Sequence, residues 1–420
     1  MWELIRANQR KSLVLFFVLG FILIVLGFLI GSAYTGAPEG GIMGIIIASG
    51  VWFFLTLISY TSGDQILLGM SKAKLVTPDI NPRLFNVVEE MKIAANLPAM
   101  PKVYIIPDPA PNAFAVGIKP EKSAIAVTAG LLSMMSRDEL QGVVAHETGH
   151  IINRDVLYMT FAGVALGSIV LISEVFLRSL WYSGAGRRYS SKKSSGGGQA
   201  QIIIMLVAVL LAILAPIIAQ LMYFALSRRR EYLADATAAR LTRYPEGLAS
   251  ALEKISSTNL DLASASKVTA PMYIVNPLKK KGMKLSNLSS THPPISERIR
   301  ILRNMASGAA YTDYEKAFAA VKGKTSKIIP NSALQEPETV SIRTAAEDIE
   351  ADKGKRKKIR NFGDIVRAAN NFIFLLCACG LKIKVHPDYN QPSITCPRCH
   401  RELRIPPISD IAAISGIAGA

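Results

Sequence analysis

The stretch SRDELQGVVAHETGHIIN, residues 136–153, decides how this chain is read. Ser136 followed three residues on by Glu139 is the pattern of a capping box, so a helix begins there. It runs through QGVVAHETGHII toward Asn153, and its apolar flanks mark it as buried. On such a helix His146 and His150 share one face, one turn apart. Two imidazoles so placed bind one Zn²⁺, and Glu147 beside the first reaches a water on the metal. The bland alternative is a surface helix with two unrelated His. It fits poorly, because a buried helix does not carry two His and a Glu without a partner for them.

Catalytic zinc takes a third protein ligand and keeps a position open for water. Glu231, in SRRREYLADATAA (227–239), is the candidate. Asp235 lies one turn further on the same face, placed to accept the second ring N–H of a ligand His. From the residues alone, Glu231 is equally well read as an ion-pair partner of Arg228, Arg229 and Arg230. Ahead of the HExxH helix lie a helical stretch, 81–95, and three short β-rich pieces, 103–106, 113–116 and 124–127. A small sheet beside helices is an α+β pattern.

Further out the chain turns apolar in blocks. Of its 420 residues 50 % are hydrophobic and 19 % charged, with 48 Lys+Arg against 31 Asp+Glu and a net charge of +17. Mean hydropathy is +0.29. These values exclude a disordered chain, and the block pattern argues against an ordinary cytosolic enzyme. Residues 12–38 and 40–63 carry no charge except for Glu39 between them, and each is long enough to cross a bilayer as a helix. The pair reads as a transmembrane hairpin. Residues 156–177, with Glu174, and 202–226, with Pro216, read as a second hairpin. Arg6, Arg10 and Lys11 before the first block and Arg228–Arg230 after the fourth favour a cytoplasmic N-terminus and a cytoplasmic segment after the fourth. Arg178, Arg187, Arg188, Lys192 and Lys193 conflict with an outside loop between the third and fourth.

Residues 323–350 read as a linker, and KGKRKKIR (353–360) as a basic run that contacts anionic lipid or stays solvated. No aromatic residues interleave it, so nucleic acid is not expected. Cys377-x-Cys379 and Cys396-x-x-Cys399 hold all four Cys of the chain, too few for a disulfide-stapled secreted scaffold. Their spacing is that of a structural Cys₄ zinc ribbon, with His400 as a substitute ligand. The first pair departs by having one intervening residue. Haem attachment at CPRCH and two disulfides are the competing readings.

The ordered motifs NAFA (112–115), VTAGLL (127–132), SRDEL (136–140), HETGH (146–150), SRRREYLAD (227–235) and THPP (291–294) with Arg298 resemble the HtpX family of membrane zinc metalloproteases, relatives of the CaaX prenyl endopeptidases. The resemblance covers about residues 1–305. It implies an α+β zincin-type metalloprotease domain, with zinc held by His146, His150 and Glu231 and supported by Asp235. It implies Glu147 as the base, His292 as the residue that steadies the oxyanion, and Arg298 as a brace. It also implies that Asn112, Ala113, Phe114 and Ala115 form the edge strand along which substrate lies. The expected organisation is a transmembrane hairpin (1–63), the protease domain (64–305) with the second hairpin (156–226) inserted, a linker (306–370) and a zinc ribbon (371–410). The expected protein is a multi-pass cell-membrane endopeptidase, active on the cytoplasmic face against misfolded or damaged membrane proteins. It carries one catalytic and one structural Zn²⁺ and contacts the lipid bilayer and polypeptide substrates. A CaaX-type prenyl protease and an inactive zinc-binding scaffold are the alternatives.

Overall fold

The computed structural model describes residues 2–184, 198–258, 260–263, 272–275, 292–305, 308–323, 327–329, 331–334, 340–346, 355–370 and 372–405. Arg187, Arg188, Lys192, Lys193, Thr291 and the side chains of 353–360 lie outside the described residues. The chain opens with two long helices, α1 (Trp2–Thr35) and α2 (Pro38–Met70), joined through Gly36 at φ +71°. They meet backbone to backbone. A Cβ on Gly44 would stand 2.0 Å from the carbonyl oxygen of Gly27, and one on Gly31 would stand 2.1 Å from that of Gly40. Glycine at these places is what lets the two helices approach.

Next come β1 (Lys74–Leu75), α3 (Pro82–Ala94), β2 (Lys102–Ile106), β3 (Ala113–Val116) and β4 (Ala124–Thr128). The sheet order is β1-β2-β4-β3, with β2 and β4 parallel and the outer strands antiparallel to them. The period of two sends Val103, Ile105, Ala113, Ala115, Ile125 and Val127 to one face, packed in the main core with α3. Ile106, Phe114, Val116 and Ala126 go to the other, where Leu67 and Leu68 at the end of α2 cover them. After the short α4 (Ala129–Met134) comes α5 (Arg137–Ile152), which opens with the expected capping box at Ser136 and Glu139.

Helix α6 (Asp155–Gly184) and helix α7 (Gly198–Thr242) follow, then α8 (Pro245–Ser257), α9 (Ile295–Arg303) and α10 (Tyr311–Lys322). Helix α7 is continuous through Pro216. Leu15, Leu19, Leu23 and Leu26 of α1 pack with Ala165 and Ile169 of α6 and with the small stripe Ala208, Ala212, Ala215 and Ala219 of α7. Phe17, Phe21, Phe53 and Ile203 point outward, Phe21 being 68 % exposed. Among the described residues four helices, α1, α2, α6 and α7, are long and apolar enough to cross a membrane.

Within 306–370, expected as a linker, several described stretches pack on the rest of the fold. Tyr314 and Phe318 of α10 belong to the main core, and residues 340–346 lie as a strap on the start of α5. Arg343 donates to Asp138 Oδ1 at 2.6 Å, to Gln141 Oε1 at 2.7 Å and to the carbonyl of Thr242 at 3.0 Å. The basic run enters α11 (Lys355–Ala368), whose Phe362, Ile365 and Val366 pack on that same core. Two hairpins close the described chain: β5 (Ile373–Leu376) with β6 (Lys382–Val385), and β7 (Ser393–Thr395) with β8 (Glu402–Arg404).

Candidate metal centre

His146, Glu147 and His150 stand on α5 where that helix crosses α7. Gly149 lets the two helices touch, since a Cβ there would meet the backbone of Ala234 at 3.3 Å. The crossing sets Glu231 opposite both imidazoles. The donor atoms of His146, His150 and Glu231 all lie within 4.8 Å of one another. Nε2 of His146 is 3.2 Å from Nε2 of His150 and 3.6 Å from Glu231 Oε2, and Nε2 of His150 is 3.4 Å from Glu231 Oε1.

Each imidazole is held from behind. Nδ1 of His146 lies 2.9 Å from Asp235 Oδ1, which is the support that the spacing of Asp235 anticipates. Nδ1 of His150 lies 2.9 Å from Oδ2 of Asp155, a residue that the sequence reading did not single out. Asp155 is in turn beside Arg230, whose Nε is 3.5 Å from Oδ1 and whose Nη1 donates to the Asp155 carbonyl at 3.2 Å. Arg298 is fully buried and grips Asp235 with two bonds, Nε to Oδ2 at 2.8 Å and Nη2 to Oδ1 at 2.7 Å. Its Nη1 stands 3.1 Å from Glu231 Oε2 and also donates to the carbonyl of Ile274 at 3.0 Å. His292 is buried with Nε2 3.8 Å from Glu231 Oε2. Burial pushes its imidazole down, toward the neutral form.

The donor set fits zinc on the structure's own terms. Two nitrogens and a carboxylate converge, and carboxylates fix the far ring nitrogens, as around metal-bound His. Both carboxylate oxygens of Glu147 are buried and, among the described residues, have no hydrogen bond of ordinary geometry, an arrangement that serves a reacting group better than a fold. Burial pushes the Glu147 carboxyl up, against the pull of His146 and His150. A cavity of about 40 Å³, lined by Ala115, Glu147, His150, Asp155 and Met272 among others, opens beside it and has room for water.

Strand β3 borders this cavity. Ala113 and Ala115 share its outward edge, and the edge is partly taken by the chain itself. Ile274 donates its amide to the Ala113 carbonyl at 3.0 Å, and Asn112 Nδ2 donates to the Val275 carbonyl at 2.9 Å. Phe114 faces the other way, buried edge-on against Tyr273. Of the four residues expected along the substrate strand, Ala115 is the one that lines the cavity.

A second cluster sits in the C-terminal hairpins. The sulfurs of Cys377, Cys379, Cys396 and Cys399 also lie within 4.8 Å of one another, Cys377 to Cys399 at 3.4 Å and Cys379 to Cys396 at 3.7 Å. These are free thiols. The unequal spacing of the pairs does not prevent convergence, because each ends in a left-handed turn, Gly380 at φ +82° and His400 at φ +56°. The amides of Gly380 and His400 bond back to the carbonyls of Cys377 and Cys396.

The chain is similar in sequence to known proteases. Residues 78–306 match the model of peptidase family M48. A protease HtpX homolog of Dictyoglomus thermophilum is 46 % identical over 314 residues, 75 % of this chain and 98 % of that protein. One from Caldanaerobacter subterraneus is 42 % identical over 305 residues, 73 % of this chain and 98 % of that protein. One from Listeria monocytogenes is 45 % identical over 309 residues, 73 % of this chain and all of that protein. The crystal structure of S. mikatae Ste24p, 20 % identical, aligns over 72 % of this chain and 67 % of that one with a TM-score of 0.36.

Proposed function

We propose, on the premise that this chain belongs to peptidase family M48 and is a zinc metalloendopeptidase of the membrane, that it cuts misfolded or damaged membrane proteins at the cytoplasmic face. The observation that carries the reading is the buried Glu147 carboxylate beside His146, His150 and Glu231, the three residues that would hold the zinc. Zinc held there supplies a Lewis acid that polarises the peptide carbonyl and brings the acidity of water close to neutrality. The rest of the chemistry belongs to the chain. Glu147 takes a proton from the attacking water as the new C–O bond forms, then gives it to the nitrogen as the C–N bond breaks. His292, neutral and buried beside Glu231, steadies the negative oxygen. Arg298 holds Asp235, and Asp235 holds His146, so the first ligand cannot turn. Substrate backbone pairs with the Ala115 part of the β3 edge.

The cytoplasmic side is supported by Arg6, Arg10 and Lys11 before the first apolar helix and Arg228–Arg230 after the last. The two helix pairs, α1–α2 and α6–α7, act as membrane hairpins, and 64–305 acts as the protease domain with the second hairpin inserted. The C-terminal thiols take a second, structural zinc, and the basic run at 353–360 meets anionic lipid. A tetrahedral Cys₄ site leaves no place for water, so that metal performs no hydrolysis. A prenyl protease is the competing reading.

The test is Glu147→Gln in the full-length protein. It should retain zinc and lose cleavage of an unfolded membrane substrate by a factor on the order of 10²–10⁴, the scale of a lost acid–base group. Near wild-type cleavage would remove Glu147 from the mechanism. Cleavage of a prenylated CaaX peptide in preference to an unprenylated membrane protein would favour the competing reading.

A further inference from the structure

Asp155 is the first residue of α6, and it reaches His150 only because the chain turns sharply between α5 and α6. Arg154 takes the left-handed conformation, φ +59°, to make that turn. This conformation is costly for a residue with a side chain and persists only where its surroundings hold it. The result is a carboxylate, 2 % exposed, whose two oxygens serve two partners. Oδ2 meets His150 Nδ1 at 2.9 Å, and Oδ1 faces Arg230 Nε at 3.5 Å. Arg230, also 2 % exposed, immediately precedes Glu231. One buried carboxylate therefore touches α5 through His150 and α7 through Arg230, next to the residue expected as third ligand.

We propose that Asp155 and Arg230 are positioning residues for the metal. Asp155 fixes the ring of His150, and Arg230 fixes Asp155 while tying the Glu231 turn of α7 to the root of α6. The pair thereby sets His150 and Glu231 at a common distance from one point. This rests on the reading of His146, His150 and Glu231 as metal ligands. The chemistry singles out a carboxylate: Asn at 155 would offer one acceptor to His150 and turn an amide N–H₂ toward Arg230, donor against donor. Loss of an outer partner of a metal-bound His lowers metal affinity about 10- to 100-fold.

The experiment measures zinc release from full-length protein in detergent into a chromophoric chelator. Glu231→Ala identifies the zinc fraction that belongs to this site. For that fraction, Asp155→Asn should release zinc about 10- to 100-fold faster, and Arg230→Gln should do so to a smaller degree. Arg230→Lys, which keeps a cation beside Asp155, should recover most of the retention. The double variant Asp155→Asn/Arg230→Gln should lose less than the product of the two single effects, because Arg230 acts in part through the Asp155 carboxylate. If Asp155→Asn fails to fold, the contrast between Arg230→Gln and Arg230→Lys carries the test, since both leave the carboxylate on His150. Wild-type release from Asp155→Asn would overturn the proposal, as would equal release from Arg230→Gln and Arg230→Lys. A full zinc complement in Glu231→Ala would instead overturn the ligand assignment on which it rests.

Discussion

Arg298 is fully buried, spans Asp235 with two bonds and stands against Glu231. Arg298→Met would leave two carboxylates buried without their cation, a change that costs about 3–5 kcal/mol when one partner of a buried pair is removed. The expected outcome is a marked fall in melting temperature together with loss of the zinc proposed for His146, His150 and Glu231, and thermal melting with metal analysis checks both. Lys at 298 should recover only part, because one ammonium cannot repeat the two-pronged grip on Asp235. How much of this was legible depends on where each residue sits. His146, Glu147, His150, Glu231 and Asp235 lie within two helices, where a spacing of four announces a shared face. Asp155 was invisible to that logic: it follows a left-handed residue, and no periodicity survives such a turn. Arg230 was visible only as one of three basic residues, which look alike until one of them is buried.

Among the elements, α5 matters through the residues it lacks as much as those it carries. A Cβ on Gly142 would fall 2.6 Å from the backbone nitrogen of Leu248, so α5 and α8 pack with nothing between them. Gly142→Ala gains about 1 kcal/mol of helix propensity but forces α5 away from rigid backbone, and overpacking of this kind costs about 1–3 kcal/mol. The variant should melt lower than wild type and lose activity, because the displaced helix carries both His. A gain in melting temperature would show that α8 can move aside. The start of α5 was readable from Ser136 and Glu139. Its other restraint was not: Arg343 arrives at Asp138 from a stretch whose composition signals only a linker. Arg343→Ala should loosen the strap and expose 340–346 to proteases while leaving the two His in place, and limited proteolysis followed by mass spectrometry would reveal it. Helix α10 also falls within the stretch expected as linker, although Tyr311, Tyr314 and Phe318 recur at helical spacing and are buried.

At the scale of the whole molecule, two groups of side chains that could hold a metal ion are built differently: one by helix crossing, the other by two small hairpins. Cys396→Ser with Cys399→Ser should lower the zinc content by one ion per chain and loosen the residues after about 370, while cleavage of a small unfolded substrate persists. Zinc analysis and hydrogen exchange check this, and an unchanged zinc content would deny the hairpins a metal. A hairpin pair of this size buries too little to fold without such a staple. The largest consequence comes from α7. It passes without a break from the apolar bundle through Pro216 to Glu231 and Asp235. By a rise of about 1.5 Å per residue, Glu231 stands roughly 22 Å beyond Pro216. A rod of that length that leans by about 5° carries its tip sideways by roughly 2 Å, enough to part a carboxylate from two imidazoles. A change in the lean of α7, such as bilayer thickness imposes on a spanning helix, would therefore shift Glu231 relative to His146 and His150. Reconstitution in lipids of graded acyl length should give a turnover rate that peaks at one thickness and falls on either side, and a flat response would mean that α7 flexes at Pro216 and absorbs the strain.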